Sequence, residues 1–162
     1  LNSVSGTIIY KKVNLYLWID WKKKMDNFIT SADQWDSDKH SNFTADEFKC
    51  QGSGDLKIST IVLDFVQAYR DEVGEGVSIT SGYRSPEHNN SVSSTGLDGP
   101  HTTGIAVDIA TNTQSQYKLL NFALNYEPKP TGIGIAKTFT HLDWLTPDVS
   151  QKYVVRPNVW KY

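Results

Sequence analysis

Apolar and polar positions follow two rhythms along this chain. Over residues 7–21 (TIIYKKVNLYLWIDW), Val13, Leu15, Leu17, Ile19 and Trp21 recur at every second position, the period of a strand. A strand or hairpin arm is expected there, with an interfacial helix as the competing element because both faces carry apolar residues. Over 57–73 the spacing changes to three and four, through Ile58, Ile61, Val62, Phe65, Val66 and Tyr69. That spacing predicts a helix, which Gly74 and Gly76 stop. Residues 77–81 (VSITS) read as a short strand running into the GYRSP turn. Residues 88–100, rich in Ser, Asn and Gly, read as a polar loop. Residues 104–110 (GIAVDIA) form an expected strand, and 115–125 an expected helix with Ser115 as its N-cap. Residues 132–144 hold one or two strands ending in TFTHLDW. Helices and strands mix without a strict βαβ rhythm, so the expected class is α+β: a small antiparallel sheet with flanking helices. A polar segment at 30–42 (TSADQWDSDKHSN) marks a soft boundary. It divides an N-terminal extension, 1–41, from a domain over 42–162.

Composition narrows the function classes. A chain of 162 residues suits one domain with an appendage and can bury a core without staples. A net charge of −2 provides no basic field for a phosphate backbone, so no nucleic-acid partner is expected. No apolar run approaches a membrane span. The single cysteine, Cys50, allows no intrachain disulfide. Five Trp and eight Tyr suit a core or a groove. Neither a GxSxG elbow nor a glycine-rich phosphate loop occurs. The chain opens on Leu1 without a basic head and apolar stretch; processing, or a start partway through a longer product, would each give this.

The chemistry concentrates in two strands. Within GIAVDIA, Ile105, Val107 and Ile109 point one way and Ala106, Asp108 and Ala110 the other. Asp108 therefore lies among alanines, with room for a ligand beside it. His101 lies just upstream, and Gly104 lets the backbone turn between them. In THLDW, His141 and Asp143 share a face. Two imidazoles and one carboxylate, from His101, Asp108 and His141, would leave a fourth position for water, the catalytic arrangement for Zn²⁺. On residues alone, His101 reads equally as a loop histidine and Asp108 as a turn-capping carboxylate. His141 reads equally as a core histidine partnered by Asp143.

Three segments occur in order: SGYRSPEHN at 81–89, HTTGIAVD at 101–108 and FTHLD at 139–143. Together they resemble the D-alanyl-D-alanine carboxypeptidase family of zinc peptidases, which includes peptidoglycan endopeptidases and phage lysins. NFTADEFKC at 42–50 and RPNVW at 156–160 resemble the opening and closing stretches of one branch. The resemblance covers about residues 42–162. It implies one Zn²⁺ per chain held by His101, Asp108 and His141, with peptidoglycan stem peptide as substrate. It also implies a site role for Arg84, whose planar fork of donors suits a carboxylate or a tetrahedral oxygen. Ser81 and Tyr83, in the same segment, are expected to join Arg84 in binding substrate.

Three departures from the family pattern stand out. Gly99 replaces a serine two residues before the first ligand. Thr138 stands where several members carry an acid. The loop at 90–100 departs from a shorter glycine-rich stretch. With Thr138 in the acid's place, Asp143 becomes the nearest candidate for general acid or base, and its alternative role is to orient His141. The missing acid also permits a non-catalytic zinc-containing wall-binding or structural module. His88 is expected to stabilise its turn, His40 to be solvated, Cys50 to be small and buried, and Trp144 and Trp160 to be core or cleft wall. The extension 1–41 suits attachment to a larger assembly, such as a virion. An extracellular, periplasmic or virion-associated location follows from a wall substrate.

Overall fold

The computed structural model of the chain describes residues 22–147, 149 and 155–162. The alternating arm expected at 7–21 lies outside these residues. β1 (Phe28–Ile29) pairs antiparallel with β2 (Ile58–Ser59). The larger sheet contains β3 (Ile79–Ser81), β4 (Ala106–Ala110), β5 (Gly132–Ile135), β6 (Phe139–Asp143) and β7 (Asn158–Lys161), in the order β3-β4-β6-β5-β7. Its neighbours run antiparallel except β5 and β7, which run parallel. With helices α1 (Thr60–Val73), α2 (Pro86–Val92), α3 (Pro100–Thr103) and α4 (Thr113–Asn125), this is the expected α+β class.

Local chemistry sets the element boundaries. Lys57 to Ser59 were expected to be helical, but Ile58 and Ser59 are drawn into pairing with Phe28 and Ile29. α1 therefore starts at Thr60, where the Ser59 hydroxyl accepts from the Ile61 amide, and it stops at Gly74 with φ 65°. α4 is capped by Asn112, not Ser115: the Asn112 side chain accepts from the Gln114 and Ser115 amides. The expected loop over 88–100 is helical through Val92 and again at Pro100, and stays a loop between them. Ser85 caps α2 by accepting from the His88 amide, and Pro86 supplies a fixed φ at the first turn. Pro100 does the same for α3. The stretch 132–144 resolves into two strands, and β7 is an edge strand with no forecast in the sequence pattern.

The two faces of the large sheet differ in kind. Val107, Ile109, Ile133 and Leu142 join one hydrophobic core with Ile61, Phe65 and Val66 of α1 and Leu119 and Ala123 of α4. Trp144 is fully buried at its centre, with Phe65 edge-on at 5.2 Å. The opposite face carries Ala106, Asp108 and Ala110 on β4 and Phe139, His141 and Asp143 on β6. That is the alternation read from the sequence. The described part of the expected extension packs on the domain: Met25 is buried, and the Thr60 amide donates to the Asn27 carbonyl oxygen.

His40, expected to be solvated, is 3% exposed. Its Nε2 lies 3.1 Å from Asp64 Oδ1, and Lys39 Nζ lies 2.6 Å from the same oxygen. Burial alone would raise the Asp64 carboxyl, but hydrogen bonds from His40 and Lys39 and the charges of Lys39 and Lys24 outweigh it and lower it below the ordinary 3.8. A carboxyl depressed in the folded state stabilises the fold above its unfolded pKa, and that contribution is lost as pH falls through the folded value. Asp64→Asn should therefore cost about 1–2 kcal/mol at pH 7. The gap from wild type should close in urea melts taken progressively below pH 3.8. A gap that persists unchanged into strong acid would exclude this origin.

Candidate metal centre

β4 and β6 are paired so that Asp108 stands opposite His141, and both side chains leave the same face of the sheet. α3 brings His101 to them from above that face. Gly104 makes the turn possible: it holds φ 82°, and a Cβ there would meet the Lys57 carbonyl oxygen at 2.5 Å. His101 Nε2 lies 3.1 Å from Asp108 Oδ1 and 3.1 Å from His141 Nδ1, and His141 Nδ1 lies 2.7 Å from Asp108 Oδ1. All three residues are buried.

The outer atoms of these side chains are already committed. His101 Nδ1–H donates to the Gly82 carbonyl oxygen at 2.6 Å, and His141 Nε2–H donates to Asp143 Oδ2 at 3.2 Å. In neutral rings this fixes the tautomers, so both inward nitrogens carry lone pairs. Two imidazole lone pairs and a carboxylate oxygen then face one another, three acceptors with no proton among them. Such a set calls for a cation, and two nitrogens with one oxygen suit Zn²⁺. Without a metal, the protonation tendencies show the same pull on positive charge. Burial would raise Asp108, yet the charges and hydrogen bonds of His101 and His141 hold it far below the usual carboxylate range. Burial pushes His101 down, and Asp108 does not fully compensate. Burial would lower His141 too, but hydrogen bonds to Asp108 and Asp143 prevail and raise it to about 9. The centre draws in positive charge.

Arg84 joins this group. Its Nη2 donates to Asp108 Oδ2 at 3.0 Å and its Nε to Ser81 Oγ at 2.9 Å. Nη1 has no protein partner among the described residues. A cleft of about 510 Å³ opens over the trio, lined by Arg84, Ser81, Thr80, Phe139, Tyr162 and the hydroxyl-bearing segment Ser93–Thr95, among others. Tyr83 does not line it. Beyond Ser81 the chain leaves the sheet, the Tyr83 amide donates to the Phe48 carbonyl oxygen, and the ring lies within reach of Asp55, Cys50 and Glu87.

Asp143 is fully buried beneath His141. Arg156 grips it with two bonds, Nε to Oδ1 at 3.1 Å and Nη2 to Oδ2 at 3.0 Å. The Leu145 amide donates to Oδ1 at 3.1 Å. Burial would raise this carboxyl, but His141 and Arg156 outweigh it and hold it low. Both oxygens are occupied, which is the geometry of a group that fixes an imidazole. Arg156 is the residue that sequence reasoning missed. RPNVW was noted as a resemblance without a task, and the strand it leads into places Arg156 over the Trp160 ring at 5.3 Å, with Trp160 5.5 Å from the His141 ring.

The residues set aside in the sequence take other places. His88 sits on α2 and is not among the converging ligands. Cys50 is buried and accepts from the Ser85 amide at 3.2 Å. Thr138 immediately precedes β6 and lines a separate cavity with Tyr69 and Asn112.

A buried His-Asp-His trio at the floor of an open cleft, flanked by an arginine, is a group that could hold a metal ion. The family model described as Peptidase M15 matches residues 40–143, more than half of the chain, and the chain belongs to that family. Its members are zinc peptidases of the D-Ala-D-Ala carboxypeptidase type, so the chain is a metallopeptidase for a peptide-containing substrate. No curated protein and no solved structure matches it. No helix among the described residues is long and apolar enough to cross a membrane.

Proposed function

We propose that this chain is a zinc peptidase that hydrolyses the peptide stems of bacterial peptidoglycan, as a D,D-carboxypeptidase or an endopeptidase. The observation that carries the reading is the convergence of His101 Nε2, Asp108 Oδ1 and His141 Nδ1 within 3.1 Å of one another beneath a cleft. Zinc held there would supply a Lewis acid for the scissile carbonyl and a lowered pKa for the attacking water.

The remaining work falls to the protein. Arg84 keeps Asp108 in place through Nη2 and offers Nη1 to a substrate carboxylate or carbonyl oxygen. Ser81 holds the guanidinium at that angle. The hydroxyls of Thr80, Ser93, Ser94 and Thr95 give the cleft wall donors and acceptors for an extended peptide. Asp143 departs from its expected proton-shuttling role in this reading: it anchors His141, and Arg156 anchors Asp143 in turn. A wall substrate implies an extracellular, periplasmic or virion-associated protein. Residues 1–41, whose described part packs on the domain, would then carry any attachment of 42–162 to a larger assembly.

The test is digestion of purified peptidoglycan by the zinc-loaded protein, by the chelated protein and by the chelated protein after zinc is restored, with mass analysis of the released peptides. Cleavage that disappears on chelation and returns with zinc is expected, and the product masses name the bond. A folded, zinc-binding protein that releases nothing from several wall types would instead be a non-catalytic wall-binding module.

A further inference from the structure

The cleft has a gap in its chemistry. Apart from the trio and Arg84, its wall is built of hydroxyls, the Asn89 amide and apolar groups, with no further carboxylate or imidazole among the described residues that line it. Thr138, which stands where several family members carry an acid, faces away from the cleft. On β6, residues 139, 141 and 143 share the site's face, and 138 turns to the other side of the sheet. The cleft-facing neighbour of His141 on its own strand is Phe139, which carries no proton to give.

Tyr162 stands in that space. It lines the cleft together with His101, Asp108, His141 and Arg84. Its amide donates to the Ile135 carbonyl oxygen at 3.0 Å, which extends the pairing of β7 with β5. Its ring packs 5.4 Å from Phe139 and 6.1 Å from Trp160. Room for both rings comes from Gly134, opposite His141 in the sheet: a Cβ there would lie 2.7 Å from the Tyr162 ring and 2.8 Å from the Trp160 ring. The ring is thus seated by backbone, by two aromatic neighbours and by a missing side chain, while the residue as a whole stays 63% exposed to solvent.

We propose that Tyr162 is a catalytic residue of the peptidase: its phenolic O–H donates a hydrogen bond to the oxygen of the scissile carbonyl as negative charge develops there. The step transfers no proton; the phenol keeps its hydrogen and stabilises the charge, sharing the task with Arg84 Nη1. A phenol keeps its proton at neutral pH, and burial and then the charge of Asp108 push this one further up. The proposal rests on the peptidase reading above.

The experiment compares wild type, Tyr162→Phe and Tyr162→Ala, each loaded with zinc. Zinc content is measured first, then kcat and KM on a soluble stem peptide ending in D-Ala-D-Ala, then the Kd of a phosphinate isostere of D-Ala-D-Ala, whose tetrahedral oxyanion mimics the charged stage. Tyr162→Phe should retain its zinc and its KM while kcat falls about ten- to a hundredfold. Affinity for the phosphinate should fall by the same factor. If Tyr162→Phe matches wild type in kcat and phosphinate affinity and only Tyr162→Ala is impaired, the ring is mere wall and the proposal is overturned. A raised KM at unchanged kcat overturns it as well, since the contact would then be made equally in the ground state. A wild type inert towards every stem peptide defeats the peptidase reading itself, and the phosphinate arm then still tests the phenol: equal binding by wild type and Tyr162→Phe rejects it, and so does the absence of binding by either.

Discussion

Asp143→Ala should destabilise the protein by about 3–5 kcal/mol and weaken zinc binding about 10- to 100-fold. Both effects come from the same carboxylate. Asp143 is fully buried, and the Arg156 side chain that grips it is 8% exposed. Removing one partner strands a buried guanidinium, which is costlier than never having built the pair. The same removal frees His141 Nε2–H, so the ring loses the contact that aims its Nδ1 inward. Urea melts at pH 7 and zinc competition against a chromophoric chelator measure the two effects separately. Asp143→Asn keeps an acceptor for His141 and should lose much less zinc affinity than alanine does. The double variant Asp143→Leu with Arg156→Met removes both charges and should be more stable than Asp143→Ala alone. A single alanine variant that melts within about 0.5 kcal/mol of wild type would show that the pair is effectively solvated.

Gly132→Ala should cost about 2–3 kcal/mol, although it adds a single methyl group to an ordinary strand position. Gly132 pairs with Asp143 across β5 and β6, and a Cβ at that position would overlap the Asp143 carboxylate. A long flexible side chain could swing aside. This one is short and pinned by Arg156, His141 and the Leu145 amide, so relief of the clash means breaking the grip. Gly76→Ala is the matched control, because a Cβ there meets nothing within 4 Å. It should melt with wild type. Equal behaviour of the two variants would mean that the sheet adjusts freely around position 132.

The trio was legible because strand alternation decides which side chains share a face, and GIAVDIA and THLD each state that alternation over adjacent residues. The ladder then needed only to pair Asp108 with His141. The grip on Asp143 was not legible. Arg156 reaches it only because β7 lies parallel to β5, and no local rhythm announces such a pairing. α2 was hidden for a different reason: its start signal, Ser85 followed by Pro86, is present, but the Asn and Ser that follow favour turns over helices. His40 looked solvated in a polar stretch. Its burial is a tertiary outcome, set by Asp64 on α1 and by the Trp35 ring at 5.7 Å. Tyr83 does not line the cleft, because membership of a motif segment does not fix direction once the chain has left its strand.

The match to the family ends at residue 143, and the counter-ion of Asp143 is residue 156. Anyone trimming the gene to the matched stretch for recombinant expression would keep every metal ligand and discard Arg156, Trp160 and Tyr162. Such a fragment carries an intact motif around a buried carboxylate with no cation to balance it. For this protein the boundary drawn by similarity is too short to be an expression boundary.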